Sequence, residues 1–195
     1  MRSFVIVVDM QRDFVMADGA LPVGGAEALI EPVRAWLAER TPEDIAGMLF
    51  TFDTHVPEVY AGSPESESFP LHCVRDTPGW ALVADWTEVD PAIPVWRLEK
   101  GVFAMWEEPG LVLRDARGGK EEVDRDAFFR DLKASGVDHV IVIGVAADYC
   151  VKWAIDGLVE RRFSVEVPAA LTRGIEREMA QVVAEEFART GVELV

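Results

Sequence analysis

A chain of 195 residues, half of them hydrophobic, can bury one substantial core and fits one domain better than two, so a single domain over residues 1–195 is expected. Aspartate and glutamate outnumber lysine and arginine by 35 to 19, a net charge of −16. That balance excludes nucleic acid and anionic membranes as natural partners and makes a neutral or cationic small molecule a better substrate than an anion. Two cysteines, Cys73 and Cys150, are too few for a secreted disulfide scaffold. No signal-peptide pattern follows Met1 and no apolar run reaches bilayer-spanning length, so a cytoplasmic protein with reduced thiols is expected.

Residues 4–8 are β-branched or aromatic throughout, as in a strand covered on both faces. Residues 26–40, entered through Gly24-Gly25, read as an amphipathic helix with Ile30, Val33 and Leu37 on one face. Short apolar strands follow at 48–52 and 94–98. Between them, residues 55–82 are rich in proline, serine and glycine and break the rhythm; long irregular segments in compact domains commonly carry function. The second half gives a helix over 124–134 stopped by Gly136, a strand over 140–143, a helix over 149–161, a strand over 164–167, a helix over 176–190 and an edge strand over 192–195. The charged stretch 114–125 reads as a solvated loop. Strand and helix alternation at this spacing predicts an α/β fold: a Rossmann-like three-layer domain with a mostly parallel sheet flanked by helices on both faces.

Ligands of open parallel sheets bind beyond the carboxyl ends of the strands. Here those ends carry Asp9, then Asp53-Thr54-His55, then Lys100, and finally Gly144 running on to Cys150 at the start of a helix. Cys150 is the natural nucleophile: a helix N-terminus and Lys100 would both lower its thiol pKa, and Asp9 is placed to accept its proton. Asp53 and His55 alternate in an extended segment and so face one side. With His72, and with Glu65 as a further candidate, they form a set suited to zinc or another first-row divalent cation. His139 lies away from this edge and is assigned no function.

These segments together resemble the isochorismatase-like cysteine hydrolases, and among them the nicotinamidase (pyrazinamidase) type. The matching stretches are Val8-Asp9-Met10-Gln11-Arg12-Asp13-Phe14, Phe52-Asp53-Thr54-His55, Pro64-Glu65-Ser66, Phe69-Pro70-Leu71-His72-Cys73-Val74, Lys100-Gly101 and Gly144-Val145-Ala146-Ala147-Asp148-Tyr149-Cys150-Val151. The resemblance implies hydrolysis of nicotinamide to nicotinate and ammonia through a cysteine thioester, with Asp9, Lys100 and Cys150 as the catalytic triad. It implies one divalent metal, zinc first and manganese or iron as alternatives, on Asp53, His55, His72 and Glu65. It further implies a cis peptide between Val145 and Ala146, an oxyanion hole from the amides of Ala146 and Cys150, aromatic walls at Phe14 and Phe69, and self-association into a homo-oligomer. Where relatives carry a serine- and tyrosine-rich segment after the lysine, this chain has Gly101-Val102-Phe103-Ala104-Met105-Trp106-Glu107-Glu108, and Phe103 or Trp106 is expected to supply that wall. Two rival readings share the fold: a hydrolase of another small amide, such as a carbamoyl or ureido compound, and a non-catalytic metal-binding scaffold.

Overall fold

The alternating pattern is realised as one continuous sheet in the computed structural model, which describes residues 2–195. Its strands are β1 Ser3–Val8, β2 Ile45–Asp53, β3 Val95–Lys100, β4 Val112–Asp115, β5 Glu122–Asp124, β6 His139–Val145, β7 Ser164–Val167, β8 Thr172–Arg173 and β9 Val192–Leu194. Their spatial order is β5-β4-β3-β2-β1-β6-β7-β9, with β8 beside the end of β6. The pairs from β3 across to β9 are parallel, and only β3–β4 and β4–β5 are antiparallel. The helices are α1 Arg12–Val15, α2 Ile30–Ala38, α3 Pro57–Tyr60, α4 Arg125–Ala134, α5 Lys152–Glu160 and α6 Met179–Val182.

Successive side chains of a strand point to opposite faces. In β1 this sends Phe4, Ile6 and Val8 into one core with Phe129, Ala154, Ile155 and Leu158, and Val5 and Val7 into a second with Val33 and Leu37. Each fully buried apolar side chain of this size contributes about 1.5–3 kcal/mol. Two dry layers therefore make the central strands the rigid part of the molecule. From β1 the sheet grows through β2 on one side and β6 on the other, so a crevice opens beyond the carboxyl ends of these strands.

Several boundaries differ from expectation for local reasons. The first helix begins as a tight 3-10 turn, Ala26–Leu29, because Gly25 at φ +77° enters it in a left-handed conformation; α2 follows. The helix expected over 149–161 opens instead with a π turn, Ala147–Val151, before α5. The segment 176–190 likewise divides into α6 and a π stretch, Val183–Phe187. The stretch 114–125 is not a loop. It is the β4–β5 hairpin, in which buried Leu113 pairs with Val123, and Arg114 meets Glu122 at 2.7 Å across the strands. Its apolar positions are few and lie among charges, Val112-Leu113 in β4 and Val123 in β5, so charge counting hides it.

Candidate active site

Three of the strand ends converge. Asp9 follows β1 with φ +46°, and Lys100 ends β3 directly opposite Asp53, the last residue of β2. Cys150 lies in the π turn that follows β6 and the cis peptide between Val145 and Ala146. Lys100 Nζ sits 2.8 Å from Asp9 Oδ2 and 3.5 Å from Cys150 Sγ. The Lys100–Asp9 contact is an ion pair off the hydrogen-bond direction, since Asp9 Oδ2 accepts no well-aligned hydrogen bond, whereas Oδ1 accepts one from Thr51 Oγ1 at 2.5 Å. All three groups are almost fully buried.

Burial decides the thiol's electrostatics. The expected lowering at Cys150 is reversed: desolvation, then the neighbouring carboxylates of Asp9 and Asp53, outweigh Lys100 and hold the thiol well above its usual range. Lys100 moves the other way from what burial alone would do. Desolvation works against its charge, but Asp53 and Asp9 together hold the ammonium well above the usual lysine value. The resting site therefore keeps its proton on sulfur, beside a carboxylate able to receive it.

Asp53, His55, Glu65 and His72 form a second buried cluster, with one ligand atom from each lying within 4.8 Å of the others. Asp53 Oδ2 is 3.1 Å from His55 Nε2 and 3.0 Å from His72 Nε2, and Glu65 Oε1 is 3.4 Å from His72 Nε2. Ligands about 2.1 Å from a tetrahedral ion are about 3.4 Å apart, so this spacing suits a divalent cation. Glu65 Oε1 is buried with no hydrogen-bond partner, which is a lone pair awaiting a cation. The His72 Nδ1–H donates to the Pro70 carbonyl at 2.7 Å, turning Nε2 toward the cluster. Desolvation opposes the charge on Asp53, yet Lys100 and the two histidines hold its carboxyl well below the usual range. Burial likewise opposes protonation of His72, but its hydrogen bond to Asp53 and the nearby Glu65 carboxylate push it up to about 10.

A cleft of about 370 Å³ is bounded by Glu65 of this cluster and by Phe69, Gly101, Phe103, Tyr149 and Trp153, with Gly101 and Tyr149 next in sequence to Lys100 and Cys150. The rings of Phe69, Phe103 and Tyr149 form a triangle with centroids 5.5–5.7 Å apart. Phe69 and Phe103 line this cleft. Trp106 does not. Its Nε1 donates to the Ala154 carbonyl, and its ring is held between Phe129 at 4.8 Å and the Arg161 guanidinium at 4.0 Å. Phe14 does not line this cleft; α1 sets its ring against that of His72 at 5.1 Å, beside the four-ligand cluster. His139, as expected, stays outside the site, bonded to Ser3.

Some positioning groups escape a reading by residue type. Buried Gln11 clamps the backbone of Asp53, accepting from its N–H and donating to its carbonyl at 2.8 Å each, and also donates to the Trp80 carbonyl. Asp148 accepts the amides of Ile175, Glu176 and Arg177, tying the nucleophile turn to the segment beyond β8. Asp13 accepts from the Cys73 amide and braces the loop that carries His72.

The isochorismatase domain model matches residues 3–195 of this chain. The nicotinamidase/pyrazinamidase of Mycobacterium tuberculosis is 32% identical over 196 residues, covering 98% of this chain and 97% of that protein. Among solved structures, pyrazinamidase of Pyrococcus horikoshii in complex with zinc superposes with a TM-score of 0.71 at 29% identity, covering 100% of this chain and 99% of that one. PnC1 from L. infantum in complex with nicotinate gives 0.72 at 26% identity over 100% and 92% of the two chains. With strand order, buried acid–lysine–cysteine cluster and full-length match in agreement, the chain belongs to the isochorismatase domain family of hydrolases.

Proposed function

We infer that the chain hydrolyses nicotinamide to nicotinate and ammonia, with Cys150 as nucleophile. The observation that carries this reading is the contact of Lys100 with both Asp9 and Cys150, one strand away from a four-ligand cluster whose Glu65 lines an aromatic cleft. Relatives named nicotinamidase/pyrazinamidase, one solved with nicotinate and one with zinc, support the substrate and a divalent ion.

The steps balance with these residues. Cys150 Sγ bonds to the amide carbon as its proton passes to Asp9, which shares the Lys100 ammonium with the thiol. Collapse of the adduct breaks the C–N bond, and Asp9 returns the proton to nitrogen so that ammonia leaves. Asp9 then takes a proton from water as the water oxygen attacks the thioester. The C–S bond breaks, nicotinate departs, and the sulfur is reprotonated. Lys100 stays charged throughout and holds Asp9 in place. The amides of Ala146 and Cys150 are assigned to the developing oxyanion. Asp53, His55, Glu65 and His72 would hold a divalent cation, zinc by first choice, whose chemistry is to anchor and polarise the ring and bound water. Phe69, Phe103 and Tyr149 bracket the ring.

The test is ammonia release from nicotinamide by metal-loaded protein, with Cys150→Ala as control. Turnover lost in the variant supports the assignment. Wild-type protein with bound metal but no ammonia release overturns it.

A further inference from the structure

The cleft wall formed by residues 101–107 contains no helix or strand, yet it must hold Phe103 against the other two rings. What fixes it comes from outside the site. Arg125, the first residue of α4, is 5% exposed although it carries a full charge. Its Nη1 donates to the carbonyl of Met105 and, at 2.8 Å, to that of Glu108. Its own amide donates to the Leu111 carbonyl at 2.9 Å. Nε and Nη2 are held by the Asp126 carboxylate at 3.2 and 3.1 Å, and Asp126 in turn takes Arg161 at 3.0 Å. Within the wall, the Glu108 carboxylate accepts the Gly101 amide at 2.7 Å, which closes the segment into a loop directly after Lys100.

A guanidinium is the one side chain whose rigid fork reaches two carbonyls and a carboxylate at once; an ammonium is a compact point charge. Burying it is costly unless its donors are matched, and here Nη1 is matched by the two carbonyls and Nε and Nη2 by the Asp126 carboxylate. The hairpin β4–β5, which precedes α4, thereby acquires a role: it delivers Arg125 under the wall.

Resting on the nicotinamidase reading, we propose that Arg125 is a positioning residue for substrate selection, setting the width of the cleft at Phe103 through the Met105 and Glu108 carbonyls. It touches neither substrate nor reacting atoms. Loosening it lets the wall move and weakens discrimination between nicotinamide and ring-substituted carboxamides, while the Asp9–Lys100–Cys150 cluster, built on other strands, keeps its geometry.

The experiment compares steady-state kinetics on nicotinamide and 5-methylnicotinamide for wild type, Arg125→Met, Arg125→Lys and Asp126→Asn, each checked for folding by circular dichroism and loaded with zinc. Arg125→Met is expected to raise KM for nicotinamide about tenfold with kcat within about twofold, and to narrow the nicotinamide preference in kcat/KM by a similar factor. Arg125→Lys should recover only part of the loss, because one ammonium cannot hold the two carbonyls and also keep the paired Asp126 contacts. Asp126→Asn, which leaves Arg125 in place, should shift KM in the same direction by less, and serves as the test if Arg125→Met does not fold. Folded variants whose KM and substrate preference equal those of wild type, or whose kcat falls with KM unchanged, overturn the proposal. A wild type inert toward nicotinamide would instead sink the parent reading, and this one with it.

Discussion

Lys100 and Asp53 meet across the site: Nζ lies 3.3 Å from Oδ1, in the same pair of residues that closes the β2–β3 register. One ammonium therefore joins the nucleophile cluster to the metal-type cluster, and neither is electrostatically independent. Replacing Lys100 by Met leaves buried Asp9 without a counter-charge and Asp53 with only the imidazoles beside it. The expected result is loss of turnover and a stability loss of about 3–5 kcal/mol, read by denaturant melts. Divalent cation should recover part of that stability, because a cation on Asp53 takes over the missing charge. A Lys100→Met protein as stable as wild type without metal would contradict the coupling.

The same coupling predicts how the thiol titrates. Burial is the largest force holding Cys150 up, and the charge on Asp53 adds to it. A cation bound at Asp53 removes that contribution, so the thiolate forms at lower pH in the metal-loaded protein. Iodoacetamide alkylation of Cys150, followed by mass spectrometry against pH, should show its midpoint moving down on metal loading. An upward shift would be inconsistent with this account.

Metal binding should depend on pH through His72. Burial opposes its protonation, but Asp53 and Glu65 raise it to about 10, well above its unfolded value of about 6.5. The imidazole must be neutral to ligate, so binding expels a proton and apparent affinity rises with pH until about 10, by about tenfold per unit for one proton. The sign for metal-free stability is opposite. The protonated His72 stabilises the fold fully below about 6.5, and this is lost as pH climbs through about 10. Chelator competition and thermal melts across pH 6–10 check both signs.

Gln11 gives a prediction that separates support from chemistry. Gln11→Ala removes the clamp on both backbone groups of Asp53 and leaves them buried and unpaired. A cost of about 2–3 kcal/mol is expected, with metal affinity reduced about 10–100-fold. Calorimetry and metal titration measure the two, and unchanged metal affinity would show that Asp53 needs no such brace.

The central strands were legible because burial on both faces writes itself as unbroken apolar runs, as in Val5-Ile6-Val7-Val8, and the residues just past those runs mark the site. Asp9, Asp53, His55, Lys100 and Cys150 were all visible in this way. Two things were not. The sign of the Cys150 shift depends on how deeply Asp9 and Asp53 are buried beside it, which no local rule about helix ends contains. Phe14, Phe103 and Trp106 are all aromatic residues near reactive ones in sequence, and only the packing of α1, α4 and α5 decides which faces the cleft. The edge hairpin was missed because its strands are short and charged, with Leu113 and Val123 paired between them among residues such as Arg114 and Glu122.

The most direct test of the account is to trap the covalent intermediate. Metal-loaded protein mixed with excess nicotinamide and quenched in acid within a turnover is digested and analysed by mass spectrometry. The account predicts a nicotinoyl group on the peptide that contains Cys150, absent when Asp9→Asn or Cys150→Ala is used. Nicotinate formed at the wild-type rate by Cys150→Ala, with no acylated peptide in the wild type, would contradict it.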